Sequence, residues 1–340
     1  MELDIEDFDA LRKYLALQVL GQEPALIKTL PGGISNRTVQ VTWNDGRAWV
    51  LKQALERLRV KEDWFSSPER IHVEARALRW LNRLAPPGMT PTILFEDVPN
   101  HLLAMEAVPE GHENWKAMLL SGRISPEHCE HFGALLGIIH RKSSEAGAEL
   151  SRAFADTGYF ESLRLDPYYG NTARKVPSAA GFLTTLSRET LRHKLSLVHG
   201  DFSPKNVLVY QDKLILLDYE VVHFGDPAFD LGFALTHFLS KANHLRPYRA
   251  AFGEAASLFW QSYAREVALL HWEDLQSRAV RHTLACLLAR VMGKSPLEYL
   301  TNHEAARQRD VVIKLMAQPP LYVSDLIAEF LRQIEAHVEN

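Results

Sequence analysis

The sequence predicts a two-lobed α+β fold in which a five-stranded antiparallel sheet and a helix precede a mainly helical region. Three patterns predict it. The first hundred or so residues contain short segments that alternate apolar and polar residues, as half-buried strands do. Residues 229–337 repeat apolar residues at helical spacing, which predicts five helices at about 229–242, 246–269, 272–293, 303–317 and 322–337. Residues 197–218 place apolar runs on both sides of a polar turn, which is typical of a hairpin. We expect the lobes at residues 1–107 and 108–340.

The elements of the first lobe follow from apolar spacing and turn signals. A leading helix is expected over residues 4–20. A second helix is expected from residues 67–69, where a cap, a first-turn proline and an acid follow one another, and it ends before the prolines at 86 and 87. The strands are expected at residues 25–30, 38–43, 47–53, 92–95 and 102–108.

A glycine-rich turn at residues 31–37 joins the first two strands. Gly32 and Gly33, followed by Ser35 and Asn36, can bring backbone N–H groups close to phosphate oxygens. The turn is neither a P-loop nor a Gly-x-Gly-x-x-Gly motif. A plain hairpin turn is therefore the alternative interpretation.

Lys52 ends the apolar strand that follows this turn and its partner strand. Kinases keep the lysine that contacts the α- and β-phosphates at this position, and a solvated lysine is the alternative. Glu74 lies three residues after Ile71 and four before Leu78, hence near the apolar face of its helix. A charge beside a buried face usually has a partner. We therefore expect a Lys52–Glu74 ion pair rather than a surface glutamate.

The segment 197–232 carries the strongest chemical signal. His199 and Asp201 follow an apolar run, Asn206 comes five residues after Asp201, and Asp218 ends the third apolar run. The spacing His-x-Asp-x-x-x-x-Asn is that of a protein-kinase catalytic loop. Phosphoryl transfer needs a group that deprotonates the attacking hydroxyl and metal ions on the phosphates, and Mg²⁺ prefers oxygen ligands. The pattern therefore predicts phosphoryl transfer, with a solvated turn as the alternative.

Three strings in this segment together resemble a known family. They are His-Gly-Asp at its start, Asp-Tyr-Glu at 218–220 and Gly-Asp-Pro-x-x-Asp-Leu-Gly at 225–232. They resemble the aminoglycoside phosphotransferase and choline kinase group of small-molecule kinases, which includes methylthioribose and homoserine kinases. The resemblance is closest over residues 197–240. It implies a bilobal protein-kinase-like fold, ATP and Mg²⁺ as cofactors, and a small hydroxylated acceptor.

Carried over to this sequence, the resemblance implies a role for each matching residue. Asp201 is the expected catalytic base, and Asn206 and Asp218 are the expected metal ligands. The segment after the fifth strand links the lobes in the family and bonds the adenine ring through its backbone. That segment contains Glu106 and Val108 here.

Other acidic residues of the segment have expected roles outside catalysis. The resemblance implies that Asp230 accepts backbone N–H bonds from the catalytic loop. Asp226 precedes a proline and is expected to be a helix N-cap. Glu220 orients the metal site or the substrate, or it is a solvated loop residue. Protein kinases place a lysine two residues after the catalytic aspartate, where this chain has Ser203, and this leaves the role of Lys205 open.

Two rival functions are weighed against a small-molecule kinase. Only seven residues separate Asp218 from Asp226, where a protein kinase inserts a long activation segment. This favours a small-molecule acceptor over a protein acceptor. A nucleotide-binding pseudokinase scaffold is the rival from another class. Such a chain is expected to lack a catalytic residue, and Lys52, Asp201, Asn206 and Asp218 are all present.

Arg290 and Lys294 lie near the end of the helix expected at residues 272–293. Cations are favoured at helix C-termini, and this is one interpretation of both residues. The other is that they bind an anionic or hydroxyl-rich acceptor. Aminoglycosides, sugars and amino alcohols all remain candidate acceptors, because fold resemblance does not identify a substrate.

The composition of the chain argues against other classes of protein. The formal net charge of −4 argues against a nucleic-acid partner, and no apolar run approaches the 18 or so residues that a membrane helix needs. The first nine residues are acidic and lack the features of a signal peptide. Cys129 and Cys286 make no metal spacing and are expected to be buried. We expect a cytoplasmic protein, and the oligomeric state is open.

Overall fold

The chain folds into two units. In the computed structural model the described residues are 3–18, 23–31, 33–59, 64–270, 272 and 274–337. The first unit comprises Met1–His112 with Ile215–Glu220, and the second comprises Glu113–Leu214 with Val221–Asn340. The expected boundary after residue 107 is therefore corrected. Residues 215–220 join the first unit because they bond to it, as where the backbone N–H of Leu216 donates to the carbonyl oxygen of Met89 at 2.9 Å.

A five-stranded antiparallel sheet forms much of the first unit, as expected. Its strands are β1 (Leu26–Thr29), β2 (Asn36–Thr42), β3 (Ala48–Ala54), β4 (Ile93–Asp97) and β5 (Leu102–Glu106). Their order in the sheet is β1-β2-β3-β5-β4. Lys52 lies opposite Thr38 of β2 on one side and Leu103 of β5 on the other. Strand β3 is thus the central strand, and its lysine is fixed by neighbours on both sides.

Two helices accompany this sheet, α1 (Phe8–Gln18) and α2 (Arg70–Leu84). Leu11 and Leu15 of α1 pack with Val39, Val41 and Leu51 of the sheet in one buried cluster. This follows from the alternating pattern of the strands, because every second residue points to the same face. The start expected at residues 67–69 is corrected, because these residues form a turn and the helix begins three residues after the serine.

The second unit is mainly helical. Its elements in chain order are β6 (Glu113–Asn114), α3 (Trp115–Leu120), α4 (Pro126–Glu145), α5 (Gly147–Ala153), α6 (Gly158–Phe160), a π-helical segment (Glu161–Gly170), α7 (Asn171–Lys175), α8 (Pro177–Arg192), β7 (Ser196–Val198), a 3₁₀ turn (Pro204–Asn206), β8 (Val207–Tyr210), β9 (Lys213–Leu216, of which the last two residues are counted with the first unit), β10 (His223–Gly225), α9 (Ala228–His244), a second 3₁₀ turn (Arg246–Tyr248), α10 (Arg249–Val267), α11 (Leu275–Met292), α12 (Asn302–Ala317) and α13 (Val323–Ala336). Helices α9 to α13 match the five helices expected beyond residue 228 to within three residues at each end.

Helix α4 packs against the loop that contains Asp201. Ser125 caps its N-terminus through the side chain, and the helix packs along α10. Gly133 permits this close approach, because a Cβ atom there would lie 2.2 Å from the carbonyl oxygen of Phe259. Phe132 of α4 stacks on Phe202, with 4.1 Å between ring centroids. The residue after the expected catalytic base is therefore anchored in the core of the second unit.

Two expectations from composition can be compared with the structure. Cys129 and Cys286 are free thiols and are buried, as expected. Among the described residues, none of the helices combines the length and apolarity needed to cross a membrane.

Candidate active site

Lys52 lies between two carboxylates of its own unit. Its Nζ contacts Oε1 of Glu74 at 2.6 Å and Oδ1 of Asp218 at 3.1 Å. The Glu74 side chain is fully buried in α2, so the expected Lys52–Glu74 pair is confirmed. Asp218 joins the pair from 166 residues further along the chain. Local sequence spacing does not reveal this second contact.

The charges of this network depend on one another. Burial opposes a charge on Lys52, but the carboxylates of Asp218 and Glu74 outweigh it and raise the lysine's pKa. Burial raises the pKa of Glu74, and the attraction of Lys52 offsets this only in part. Asp218 has 24% of its side chain exposed and Glu74 has none. The network therefore presents a permanently charged ammonium and one accessible carboxylate.

Asp218 has an unusual backbone conformation. Its φ of 72° lies in the left-handed region, which residues other than glycine seldom adopt and which aspartate tolerates better than most. The residue follows β9 by two positions and ends the hairpin. Strained backbone of this kind is concentrated at functional sites.

Arg70, the first residue of α2, is fully buried and joins three segments of the first unit. Its guanidinium pairs with Oε2 of Glu220 at 3.0 Å and donates to the carbonyl oxygens of Leu55, at 2.8 Å, and Ser35. The interpretation of Glu220 as a solvated residue is therefore wrong, because its carboxylate is buried against a guanidinium. Nothing in the motif pattern marks Arg70. The available signal is its position, since a cation at a helix N-terminus opposes the helix dipole.

The glycine-rich turn at residues 31–37 is described except for residue 32, so the expected contact of Gly32 lies outside the described residues. A Cβ atom at Gly33 would lie 3.3 Å from the carbonyl oxygen of Asn36, which is tight for any other residue. Ser35 and Asn36 are buried, and Nδ2 of Asn36 donates to Oγ of Ser35 at 3.2 Å. The turn is therefore well packed. Its contact with phosphate stays a prediction.

The end of β5 holds the residues expected to contact adenine. The backbone N–H of Glu106 donates to the carbonyl oxygen of Thr92 at 2.9 Å. The side chain of Glu106 is exposed, Val108 is half-buried and Met105 is buried. The adenine contacts of Glu106 and Val108 stay predictions.

In the second unit, Asp230 holds the turn that contains the expected base. Its Oδ2 accepts the backbone N–H of His199 at 2.7 Å, and its Oδ1 accepts that of Gly200 at 2.8 Å. This confirms the structural role expected of Asp230. Burial opposes its ionisation, but a hydrogen bond with His140 and the charges of His140 and His199 hold the pKa of Asp230 below its ordinary value. Asp230 is thus ionised while its carboxylate holds the loop in place.

The glycine of the His-Gly-Asp turn is required by geometry. Gly200 has a φ of +78°, and a Cβ atom there would lie 2.8 Å from Cγ2 of Val221. Any other residue at this position would have a strained backbone conformation and a Cβ atom too close to Val221. The turn therefore delivers Asp201 in one conformation.

Asp201 is paired with a cation that the sequence did not predict. Oδ2 of Asp201 lies 2.8 Å from Nη2 of Arg164, whose Nε donates to the carbonyl oxygen of Gly200 at 3.0 Å. Nδ2 of Asn206 donates to the carbonyl oxygen of Asp201 at 3.0 Å. The loop therefore holds the expected base and one expected metal ligand in fixed relation. Arg164 lies in the π-helical segment, where no regular spacing indicates its role.

A comparison with models of protein families shows which family this chain belongs to. The model of the phosphotransferase enzyme family matches residues 26–271. The chain belongs to the phosphotransferase enzyme family. Methylthioribose kinase from Pectobacterium atrosepticum is 24% identical over 265 residues, covering 68% of this chain and 66% of that protein. Methylthioribose kinase from Yersinia pseudotuberculosis serotype O:1b is 23% identical, with 68% and 65% covered. The chain spans just under two thirds of the length of these relatives.

Solved structures have the same fold as this chain. Amicoumacin kinase hAmiN in complex with AMP-PNP, Ca²⁺ and Ami has a TM-score of 0.60 at 18% identity, with 94% of this chain and 96% of that chain covered. Macrolide 2'-phosphotransferase MphH from Brachybacterium faecium, an apoenzyme, has a TM-score of 0.56 at 19% identity, with 92% and 99% covered. The expected protein-kinase-like fold is thereby confirmed.

Two further predictions concern charged residues at helix ends of the second unit. The prediction that Asp226 is the N-cap of α9 is wrong, because Pro227 is the residue that precedes the helix. The Asp226 carboxylate nevertheless accepts the backbone N–H of Ala228 at 3.0 Å, and it pairs with Arg278 at 3.1 Å. It therefore stabilises the start of the helix from one residue further out.

Arg290 and Lys294 surround the end of α11. Nη1 of Arg290 donates to the carbonyl oxygen of Ser295 at 2.6 Å and to its Oγ at 3.0 Å, which closes the turn after the helix. The backbone N–H of Lys294 donates to the carbonyl oxygen of Pro167 at 3.2 Å. A substrate role for either residue stays a prediction at this point.

Proposed function

We propose that this phosphotransferase transfers the γ-phosphate of ATP to a hydroxyl of a small molecule. The observation that carries the proposal is the convergence of Lys52, Glu74 and Asp218 in the first unit. A buried carboxylate holds the ammonium in place, and an accessible carboxylate lies beside it. Kinases use such a lysine and aspartate for the nucleotide phosphates and their metal ion. Family membership supports the same reaction.

Each residue has a distinct part in the proposed reaction. Lys52 binds the α- and β-phosphates, and Glu74 positions it. Asp201 accepts the proton of the acceptor hydroxyl as that hydroxyl attacks the γ-phosphate. Arg164 and Asp230 position Asp201, the first through its carboxylate and the second through the backbone of the preceding residues. Phosphoryl transfer depends mainly on positioning and electrostatic stabilisation, so these supports matter as much as the base.

The residues proposed to bind metal fit Mg²⁺ by their chemistry. Asp218 offers a carboxylate oxygen. The amide nitrogen of Asn206 is engaged with Asp201, which leaves the amide oxygen as its donor for a metal. Mg²⁺ takes hard oxygen ligands and few protein carboxylates, and when bound it neutralises charge on the phosphates. The AMP-PNP and Ca²⁺ of the amicoumacin kinase structure support a nucleotide and a divalent cation here.

The remaining nucleotide contacts are proposed from position in the first unit. We propose that the backbone of Gly32, Gly33, Ser35 and Asn36 approaches the phosphates. The backbone at the end of β5, from Glu106 to Val108, is proposed to bond the adenine. The first unit thus serves nucleotide binding, and the second unit supplies the base and the acceptor site.

The rival functions have less support. The seven residues between Asp218 and Asp226 contain β10 and offer no long segment for docking a peptide, which disfavours a protein kinase. A pseudokinase is disfavoured by the presence of every charged residue named above. We propose a cytoplasmic location with a small-molecule partner. The free thiols of Cys129 and Cys286 support a reducing compartment.

The substitution Asp201→Asn tests the proposal. Removing a general base lowers the rate by about 10²- to 10⁴-fold, while nucleotide affinity is expected to stay near the wild-type value because the base contacts the acceptor. ATP affinity and single-turnover transfer are measured separately. Asp212→Asn is the matched control, since the Asp212 side chain is 98% exposed. Full turnover in Asp201→Asn, or an equal loss of affinity and turnover with the fold intact, contradicts the assignment.

A further inference from the structure

A buried lysine in the second unit has no role in the reaction described above. Lys241 lies in the last turn of α9, and its side chain is fully buried. Its Nζ donates to the carbonyl oxygen of His237 at 3.2 Å and lies 5.5 Å from the centre of the Tyr299 ring. Among the described residues, no carboxylate lies within ion-pair distance of it. A lysine is rarely buried without such a partner, because desolvating its charge is costly.

The positive charges of two other side chains act on Lys241. Nζ of Lys116 lies 5.9 Å from the centre of the same Tyr299 ring. Burial, with the positive charges of Lys116 and Arg290, lowers the pKa of Lys241 to about 7. One carboxylate, Glu298, pairs with Lys116, and its side chain is 65% exposed. We call Lys116, Lys241 and Arg290 the basic cluster; its positive charge exceeds the nearby negative charge.

Buried polar atoms beside the basic cluster also lack partners. Within the described part of the chain, nothing hydrogen-bonds to either ring nitrogen of His237, to the Tyr299 hydroxyl or to Nε of Arg290. Buried polar atoms are nearly always bonded to protein or to water. Burial and the charges of Lys241 and Arg290 lower the pKa of His237 well below its ordinary value, so its neutral ring offers one donor and one acceptor. An oxyanion would supply both the missing charge and the missing acceptors.

The basic cluster is connected to the catalytic loop within the same unit. Asn114 caps α3, the helix that carries Lys116. Nδ2 of Asn114 also donates to the carbonyl oxygen of Lys205 at 2.8 Å. Lys205 lies in the loop between Asp201 and Asn206. A molecule bound at the cluster is therefore held by elements that are fixed to the loop of the proposed base.

We propose that the acceptor substrate is a hydroxylated anion whose carboxylate or phosphate group is bound by Lys116, Lys241 and Arg290. His237 and Tyr299 hydrogen-bond the same group. This inference rests on the proposed kinase function and specifies the substrate class. Aminoglycosides and choline are disfavoured as acceptors, because each would bring positive charge against three cations.

The first test compares acceptors that share a carbon skeleton and differ in charge. ADP release is measured with glycerol, glycerate and glycerol 3-phosphate, and with glucose, gluconate and glucose 6-phosphate, at equal ionic strength. Choline and kanamycin are the cationic comparators. We expect the anionic members to have a kcat/KM about ten- to a hundredfold higher, as hydrogen bonds to charged groups provide. Comparing carboxylate with phosphate distinguishes the two anions, and a preference for neutral or cationic acceptors overturns the proposal.

The second test uses variants and does not depend on finding the substrate. Lys241→Met and Arg290→Met are compared with wild type and with Lys314→Met, an exposed lysine on α12. Thermal unfolding of the full chain is measured with inorganic phosphate, gluconate or chloride at equal ionic strength. We expect phosphate or gluconate to raise the Tm of wild type and of Lys314→Met, and to leave the Tm of the two cluster variants nearly unchanged.

Without added anion, Lys241→Met is expected to unfold at a higher temperature than wild type. The substitution removes a buried charge that lacks a partner, and such replacements are often neutral or stabilising. A lower Tm for this variant would show that the lysine has a structural role. That result overturns the proposal, as does the absence of an anion-dependent increase in wild type or an equal increase in Lys241→Met.

Failure of this inference is distinguishable from failure of the proposed kinase function. If the kinase function is wrong, ATP binding shows no dependence on Mg²⁺ and no acceptor supports ADP release. If only the anion inference is wrong, ATP binding keeps its Mg²⁺ dependence and a neutral or cationic acceptor is turned over.

Discussion

The substitution Asp230→Asn removes one charge from the support of the catalytic loop while keeping the shape of the side chain. The carboxylate accepts the backbone N–H of His199 at 2.7 Å and that of Gly200 at 2.8 Å. An asparagine presents an oxygen to one of these donors and an NH₂ group to the other. One hydrogen bond to a charged group is lost, about 1.5–3 kcal/mol, and one backbone N–H is left buried and unpaired, about 1–3 kcal/mol. The free energy of unfolding is expected to fall by about 2.5–6 kcal/mol.

The same change is expected to lower turnover. A displacement of about 1 Å at a reacting group costs on the order of a hundredfold in rate, and Asp201 follows the two residues that Asp230 holds. Urea unfolding and single-turnover transfer are measured on the same preparation. The matched control is Asp325→Asn, an exposed acid in the first turn of α13. Stability and turnover within error of wild type in Asp230→Asn would refute the reasoning.

The pH dependence of this effect has a definite sign. The folded protein lowers the pKa of Asp230, so its contribution to stability is complete at pH values above the ordinary carboxyl pKa of about 4. The contribution is lost as pH falls through the lowered value. The difference in unfolding free energy between wild type and Asp230→Asn is therefore expected to be full at neutral pH and to shrink in acid.

Four further substitutions test the first unit and the metal ligands. Lys52→Met is expected to weaken ATP binding about ten- to a hundredfold through loss of a charged hydrogen bond, measured by titration calorimetry; unchanged affinity contradicts the phosphate role. Mg²⁺ is expected to tighten ATP binding in the wild type. Asp218→Ala is expected to abolish this tightening, and Asn206→Ala is expected to reduce it. If both variants keep the full effect of Mg²⁺, the two residues are not metal ligands. Arg70→Met removes the guanidinium that pairs with the buried carboxylate of Glu220, and it is expected to lower the free energy of unfolding in urea by about 3–5 kcal/mol. A loss below about 1 kcal/mol contradicts a buried pair.

Local patterns predicted most elements of this fold. Apolar spacing located α9 to α13 and the five strands, because burial of one face imposes that spacing. The same reasoning predicted the Lys52–Glu74 pair from the position of Glu74 on the apolar face of α2. It did not predict that Asp218 completes the pair, since a contact across 166 residues leaves no mark on local spacing.

Other features depend on tertiary packing and cannot be predicted from the sequence pattern. Lys241 occupies a helix that was correctly predicted, yet its burial is set by the helices and the Tyr299 ring packed around it. Arg70 begins α2 against the preference of the helix dipole, and its partners come from three separate segments. For Arg70 the available signal is a charge at an unfavourable position, and this signal does not identify its partners. Lys241 lies in the last turn of α9, where cations are favoured, so its position in the sequence gives no such signal.

The cation beside the proposed base shows why spacing alone misjudges this site. Protein kinases place a lysine two residues after the catalytic aspartate, and this chain has Ser203 there, which is buried. Arg164, 37 residues before Asp201 in the chain, instead pairs with its carboxylate at 2.8 Å. A carboxylate needs a cation at a position in space, and any segment that reaches this position can supply one. The serine is therefore not a sign of lost activity, and it lends no support to a pseudokinase.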